Sequence, residues 1–291
     1  MKGIAGKPTL SGERISAVHP AVSGERQYHI RAGHGDVGRY VFLPGDPERV
    51  PKIAGFWKNA REIAFHREYN VWSGEIDDIK VSACSTGIGG PAAAIAVEEL
   101  AAIGGDTFIR VGSCGALHEN IRCGNIVIAS AAVRCDGTSK QYVPQSYPAA
   151  ASIDVTLALI EAAEKLGLRY HVGYTASSDS FYVGQGRPGF GGFLPQNKRN
   201  IVDALKKARV LIFEMEASTI FTLSGIYGLR SGCVCAVYAN RATDEFKIAG
   251  EEDACRAAVE AVRILARWDK DREGQRKRNW YPSLSFRGMN S

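Results

Sequence analysis

The sequence predicts an α/β protein, a single domain with a central mixed β-sheet flanked by helices. Strand-like and helix-like stretches alternate through most of the 291 residues, the pattern that sets helices against the faces of a largely parallel or mixed sheet. A strand, a glycine-rich turn and a helix follow one another directly around Cys84-Ser85-Thr86-Gly87-Ile88-Gly89-Gly90-Pro91. No internal repeat or low-complexity linker divides the chain, so one domain suffices.

Residues 39–43 read as a strand ending at Pro44-Gly45-Asp46-Pro47, where Pro47 is placed to open a helix. Strands at 68–73 and 79–84 are joined by a turn at Ile76-Asp77-Asp78. The helix 91–103 has an apolar face of Val97, Leu100 and Ile103. Further strands are expected at 107–111, 125–134, 171–176, 209–213 and 232–238, and helices near 154–166, 196–207, 216–227 and 251–268. The expected organisation is an N-terminal extension over 1–27, the domain over 28–268 and a basic C-terminal tail over 269–291.

A chain that is 45% hydrophobic and 23% charged can bury a full core and is not disordered as a whole. It has no run of about 18 apolar residues, and its first residues lack the apolar segment of a secretory signal. The expectation is a cytoplasmic protein that binds no membrane. Seven cysteines, an odd number with no Cys-x-x-Cys pair, read as reduced, small, buried hydrophobes. The net charge of +5 is concentrated in Arg272, Arg276, Lys277 and Arg278, which reads as a solvated tail and not as a nucleic-acid surface.

Arg110 interrupts the apolar run Thr107-Phe108-Ile109-Arg110-Val111, which breaks into the small-residue loop Gly112-Ser113-Cys114-Gly115-Ala116. An unpaired buried guanidinium costs several kcal/mol, so an anion is expected to meet it. Arg49 follows the Gly45 turn and Arg67 sits in His66-Arg67-Glu68. Guanidinium forks match tetrahedral oxyanions, and open amides at Gly45 and around Ser113 add donors, which points to phosphate. The plainer alternative pairs Arg49 with Glu48 and Arg67 with Glu68 on the surface. The loop carries neither Gly-Lys-Ser/Thr nor Gly-x-Gly-x-x-Gly, which argues against an ATP or dinucleotide site. Glu214-Met215-Glu216 ends the apolar run Val210-Leu211-Ile212-Phe213, at the strand end where α/β sheets commonly place ligands. Carboxylates there can accept hydrogen bonds from vicinal hydroxyls, or can simply form an acid-rich helix start.

Seven segments in order resemble nucleoside phosphorylase family I. They are Pro44-Gly-Asp-Pro-Glu-Arg-Val50, His66-Arg-Glu-Tyr69, Cys84-Ser-Thr-Gly-Ile-Gly-Gly-Pro91 with Val97-Glu-Glu-Leu100, Phe108-Ile-Arg-Val-Gly112, Thr175-Ala-Ser-Ser-Asp179 with Phe181-Tyr-Val-Gly-Gln-Gly-Arg187, Phe213-Glu-Met-Glu-Ala-Ser218, and Asn240-Arg241. The resemblance spans about Tyr28 to Trp268, and the Gln185/Arg187 pair is similar to the uridine-cleaving branch.

This resemblance implies a nucleoside phosphorylase/hydrolase-like fold and reversible phosphorolysis of uridine to uracil and ribose 1-phosphate. Deoxyuridine or thymidine are open as further substrates. Inorganic phosphate would be the co-substrate, with no cofactor. Phosphate would be held by Gly45, Arg49, Arg110 and Ser113, completed by Arg67 from a neighbouring subunit of a homo-oligomer. Ribose would meet Ser113, Met215 and Glu216, with Glu214 nearby and His29 of the other subunit at the 5′-hydroxyl. Phe181, Gln185 and Arg187 would hold the base, since an amide and a guanidinium suit the carbonyls and N3 of uracil. Arg110, Gln185, Arg187 and Arg241 are the catalytic candidates, with Gln185 and Arg187 stabilising charge on the departing base.

The chain departs from the family in two places. Ser113 stands where threonine is usual, keeping the hydroxyl and losing a methyl that restricts its rotamer. An interface monovalent cation, held in some bacterial members, would here meet Glu68, Ile88 and Ala92, and alanine offers no side-chain oxygen. The 187–195 segment, rich in Gly and Pro, reads as a mobile flap over the base or as a plain surface loop. Three other functions stay open: a purine nucleoside phosphorylase using Asp244 as its acid, a nucleosidase of the same fold, and a non-catalytic nucleoside-binding protein.

Overall fold

The computed structural model describes residues 20–22 and 26–286. Strands β1 (Ala21–Val22) and β2 (Arg26–Gln27) pair antiparallel, and the rest of the extension expected over 1–27 lies outside the described residues. Then come β3 (Tyr40–Leu43), α1 (Arg49–Ala54), β4 (Lys58–His66), β5 (Tyr69–Ile76), β6 (Ile79–Cys84), α2 (Gly90–Ala102), β7 (Thr107–Ala116) and β8 (Ile126–Cys135). The chain continues with α3 (Thr138–Tyr142), β9 (Ala149–Ala150), α4 (Ile153–Lys165), β10 (Tyr170–Ser178) and three short 3-10 turns. It ends with α5 (Ile201–Lys207), β11 (Val210–Glu214), α6 (Ala217–Tyr227), β12 (Arg230–Asn240), β13 (Glu245–Phe246), α7 (Glu251–Gly274) and α8 (Pro282–Phe286).

The central sheet is mixed, as expected, and part of it closes on itself. Its order is β13-β12-β8-β10-β11-β7-β3-β6-β5-β4, and a further parallel pairing of β12 with β7 turns β7, β12, β8, β10 and β11 into a ring. Long β7 and β12 hold this ring together, in register from Thr107 opposite Arg230 to Ala116 opposite Asn240. Apolar side chains of α1, α4 and α7 pack on one face and those of α2 and α6 on the other. The helix-facing sides of the buried strands therefore need apolar residues, which is why their sequences read as continuous apolar runs.

The structure differs from the sequence expectations at five places. The expected loop 112–116 is the last half of β7, paired with β12 on one side and β11 on the other. Small residues are needed because the guanidinium of Arg110 and the Cys235 sulfur crowd Gly112, within 2.9 Å of where a Cβ would sit. Strand β4 carries no apolar run because it is an edge strand whose side chains are mostly exposed. The helix expected over 196–207 begins at Ile201, after a 3-10 turn at Gln196–Lys198, and α1 begins two residues beyond Pro47. The expected solvated tail is folded through residue 286: α7 runs to Gly274, Trp280 stacks on Trp268 at 3.6 Å, and Leu284 is fully buried.

The hairpin turn at Asp77-Asp78 has the expected place, and both residues have positive φ, the type I′ geometry that suits the twist of paired strands. All seven cysteines are free, five of them buried. No helix among the described residues is long and apolar enough to cross a membrane.

Candidate active site

The carboxyl ends of β3, β7, β11 and β12 open into a cavity of about 1070 Å³. Among its lining residues are Gly45, Arg49, Arg110, Ser113, Phe181, Gln185, Arg187, Glu214, Met215, Glu216, Arg241 and Asp244. Thus the sequence-derived site residues converge on one space, except His29, Arg67 and the cation candidate Glu68, which do not line it. Arg67 sits exposed, with positive φ, in the turn between β4 and β5, its guanidinium 5.9 Å from the Tyr28 ring. Glu68 lies beside Gly87, and its carbonyl accepts a hydrogen bond from Ser85.

The anion that buried Arg110 requires is found first within the chain. Arg110 donates through Nε to Glu214 at 2.8 Å, and its Nη2 lies 2.5 Å from Glu216. Burial alone would lower the Arg110 pKa, but Glu216 and then Glu214 lift it well above the ordinary value. Burial pushes the Glu216 carboxyl up, against the pull of Arg110. Two carboxylates facing one guanidinium leave the trio short of positive charge.

The two glutamates differ in what else they do. Glu214 accepts from Thr175, Ser177 and the backbone N–H groups of Glu216 and Ala217, which fills its lone pairs and caps the start of α6. Glu216 accepts from the Gly89 N–H at 2.6 Å. Gly89 adopts φ +97°, a conformation glycine reaches freely, as the residue before α2. Glu216 is therefore the carboxylate with room for a ligand hydroxyl, and Met215 lines the cavity between the two.

Arg49 pairs with Glu251, at the start of α7, and not with Glu48. Its Nε and Nη2 both lie 2.9 Å from Glu251 Oε2, and its Nη1 donates to the Val111 carbonyl. Tyr238 and Lys52 also donate to Glu251, whose carboxyl is pulled down to about 2 by these partners against the effect of burial. Arg49 is only 5% exposed, yet it lines the cavity. Ser113 Oγ makes no hydrogen bond among the described residues and faces the same space.

On the opposite wall, Arg187 Nη1 donates to Gln185 Oε1 at 2.6 Å and to the Phe181 carbonyl at 2.7 Å. The guanidinium also covers the Phe181 ring at 4.1 Å, so one face of that ring is already occupied. Burial, and then neighbouring Arg241, lower the Arg187 pKa to about 10, which keeps it charged at neutral pH. Arg241 in turn donates to the Gln185 carbonyl at 3.0 Å. Both arginines pass beside Gly115, each 3.8 Å from where its Cβ would be, an ordinary contact distance. Of the 187–195 segment only Arg187 and Pro188 line the cavity, while Phe190 projects fully into solvent.

Sequence reasoning missed Tyr238 and Glu251. Tyr238 carried a signal, a polar aromatic at the end of an apolar strand. Glu251 carried none, because only the fold brings the start of α7 to Arg49.

Fold and cavity define an α/β protein whose central sheet opens at its strand ends into a deep cavity lined by arginines and carboxylates. The chain belongs to the phosphorylase superfamily, whose sequence profile matches residues 39–267. It is 61% identical over 270 residues to a uridine phosphorylase of Thermococcus kodakarensis, covering 93% of this chain and 98% of that one. A uridine phosphorylase of Escherichia coli is 42% identical over 77% of this chain and 91% of its own length. A guanosine phosphorylase of Halorubrum lacusprofundi is 38% identical over 78% and 89% respectively.

Proposed function

We propose that this protein is a uridine phosphorylase, a pentosyltransferase that converts uridine and inorganic phosphate to uracil and ribose 1-phosphate. The observation that carries the reading is the paired Gln185 amide and Arg187 guanidinium facing Arg49, Arg110 and Ser113 across one cavity. The similarity to proteins named uridine phosphorylases supports it.

Phosphate would sit against Arg49, Arg110, Ser113 and the Gly45 backbone, with ribose on Met215 and Glu216. The bond from C1′ to the base nitrogen breaks as a phosphate oxygen bonds C1′, through an oxocarbenium-like transition state. The bonding pair leaves with uracil, where Gln185 and Arg187 meet the growing negative charge, and the phosphate's proton passes to uracil. Arg241 holds the Gln185 segment in place from behind. No cofactor is needed beyond phosphate. Glu214 serves as a positioning group for Arg110 and α6.

His29 and Arg67 lie together outside this chain's cavity, linked through Tyr28. This supports a homo-oligomer in which each copy lends them to its neighbour, as the 5′-hydroxyl and phosphate contacts. An interface cation at Glu68 has no further support.

A purine-cleaving reading has its own observation: Asp244 lines the cavity beside Arg241, where it could act as an acid. The test is product chromatography from uridine, inosine and guanosine, each with and without phosphate. Uracil released only with phosphate supports the proposal. Purine release moves the acid to Asp244, release without phosphate indicates a nucleosidase, and no release indicates a binding protein.

A further inference from the structure

We infer that Glu99, the second glutamate of the Val97-Glu98-Glu99-Leu100 segment, is a positioning residue that fixes the His29 ring for recognition of the nucleoside 5′-hydroxyl. The inference rests on the reading that His29 meets that hydroxyl in a neighbouring copy's cavity.

Glu99 lies on α2 and is 9% exposed, yet no lysine or arginine pairs with it among the described residues. Its carboxylate is spent on one short segment. It accepts the His29 backbone N–H at 3.1 and 3.0 Å, the Ile30 N–H at 2.9 Å, and stands 2.7 Å from His29 Nδ1. A buried carboxylate needs donors, and here they are two backbone amides and one imidazole.

The consequence for His29 is chemical. A carboxylate against Nδ1 requires the proton on Nδ1, which leaves Nε2 of the neutral ring as an acceptor. The ring cannot turn away easily. It stands edge-on to Tyr28 at 4.8 Å and Tyr69 at 6.3 Å, while the His29 carbonyl accepts from His66 Nδ1 at 2.9 Å. With a side chain 22% exposed and Nε2 unbonded among the described residues, His29 presents one fixed acceptor to whatever docks there. A primary hydroxyl is a suitable donor for it. Glutamine could not reproduce this arrangement, because one amide oxygen cannot serve three donors while its NH2 faces N–H groups. The same logic makes a carboxylate behind a ligating histidine matter about 10–100-fold in metal sites.

The experiment compares kcat and KM for uridine and 5′-deoxyuridine in the full-length protein, as wild type, His29→Ala and Glu99→Gln. The expected result is that wild type prefers uridine, that His29→Ala loses the preference, and that Glu99→Gln reduces it about tenfold through KM. Turnover of 5′-deoxyuridine by Glu99→Gln should stay within about twofold of wild type. If Glu99→Gln keeps the full preference, or loses activity equally on both substrates, Glu99 does not position His29 and the inference falls. If His29→Ala itself keeps the preference, the His29 reading fails and the inference with it. Should the glutamine variant not fold, Glu99→Asp withdraws the carboxylate by one methylene, and an unaltered preference there also overturns the proposal.

Discussion

Arg110 and Glu216 face each other as a buried ion pair, Nη2 to Oε2 at 2.5 Å, with Glu214 holding the other edge of the same guanidinium. The neighbouring carboxylates have different work. Glu214 meets five donors and ties β7, β10 and the start of α6 together. Glu216 meets only Arg110 and the Gly89 N–H, which leaves it acceptor capacity.

Replacing the two should therefore separate stability from catalysis. Glu214→Ala strands two hydroxyls and two backbone amides in the core and is expected to cost about 3–5 kcal/mol, seen as a lower Tm. Glu216→Gln leaves Arg110 paired one-to-one with Glu214, so the fold should hold while KM for uridine rises and kcat falls. Thermal melts and initial rates on both variants check this. A Glu214→Ala protein that melts like wild type would remove its positioning role.

Arg49 is aimed at the cavity by Glu251, and the same carboxylate links stability to pH. Glu251→Gln should loosen the guanidinium and raise KM for phosphate about 5–10-fold with KM for uridine little changed, as expected when an orienting partner is lost. A lower phosphate KM would mean that Glu251 competes with phosphate for Arg49. Its folded pKa lies below the ordinary 4.5, at about 2. The stability it contributes is thus fully present above about pH 4.5 and lost as pH falls toward 2. Denaturant melts between those limits should show a shallower pH dependence in Glu251→Gln.

The sheet and the α2 turn were legible because each has a local signal, whereas most of the cavity's residue set was legible only through the resemblance to a known family. Apolar runs mark buried strands, glycines mark the turn before α2, and Arg110 is conspicuous in an apolar run. What escaped the sequence was pairing at a distance. Glu251 is 202 residues from Arg49, and Glu99 is 70 residues from His29. The last half of β7 read as a loop because its small residues answer a crowded neighbourhood that only the closed sheet creates.

Arg187 is expected to be the most sensitive residue of the base wall. It alone joins the Gln185 amide to the Phe181 ring face, and the proposed reaction directs its charge at the departing base. Arg187→Ala should lower kcat by at least about a hundredfold, the range found for loss of one donor to developing negative charge. Arg187→Lys should recover only part of this, since an ammonium point charge cannot lie flat over the Phe181 ring while it also donates to the Gln185 amide. Near-wild-type turnover of uridine by the alanine variant would refute the assignment.

The C-terminal segment offers the plainest stability test. Trp280 lies flat on Trp268 with ring planes 12° apart, Leu284 is fully buried, and Ser285 Oγ donates to Asp271 while accepting from the Trp280 indole. A solvated tail would make none of these contacts. Trp280→Ala removes a half-buried ring and should cost about 1–3 kcal/mol, below the 3–5 typical of a fully buried tryptophan. Deleting residues 275–291 should cost more, because Leu284 goes as well. The cavity at the strand ends does not include this segment, so kcat at a temperature below the melt should change little. Differential scanning calorimetry beside initial rates measures both, and an unchanged Tm on deletion would show that the segment contributes nothing to the core.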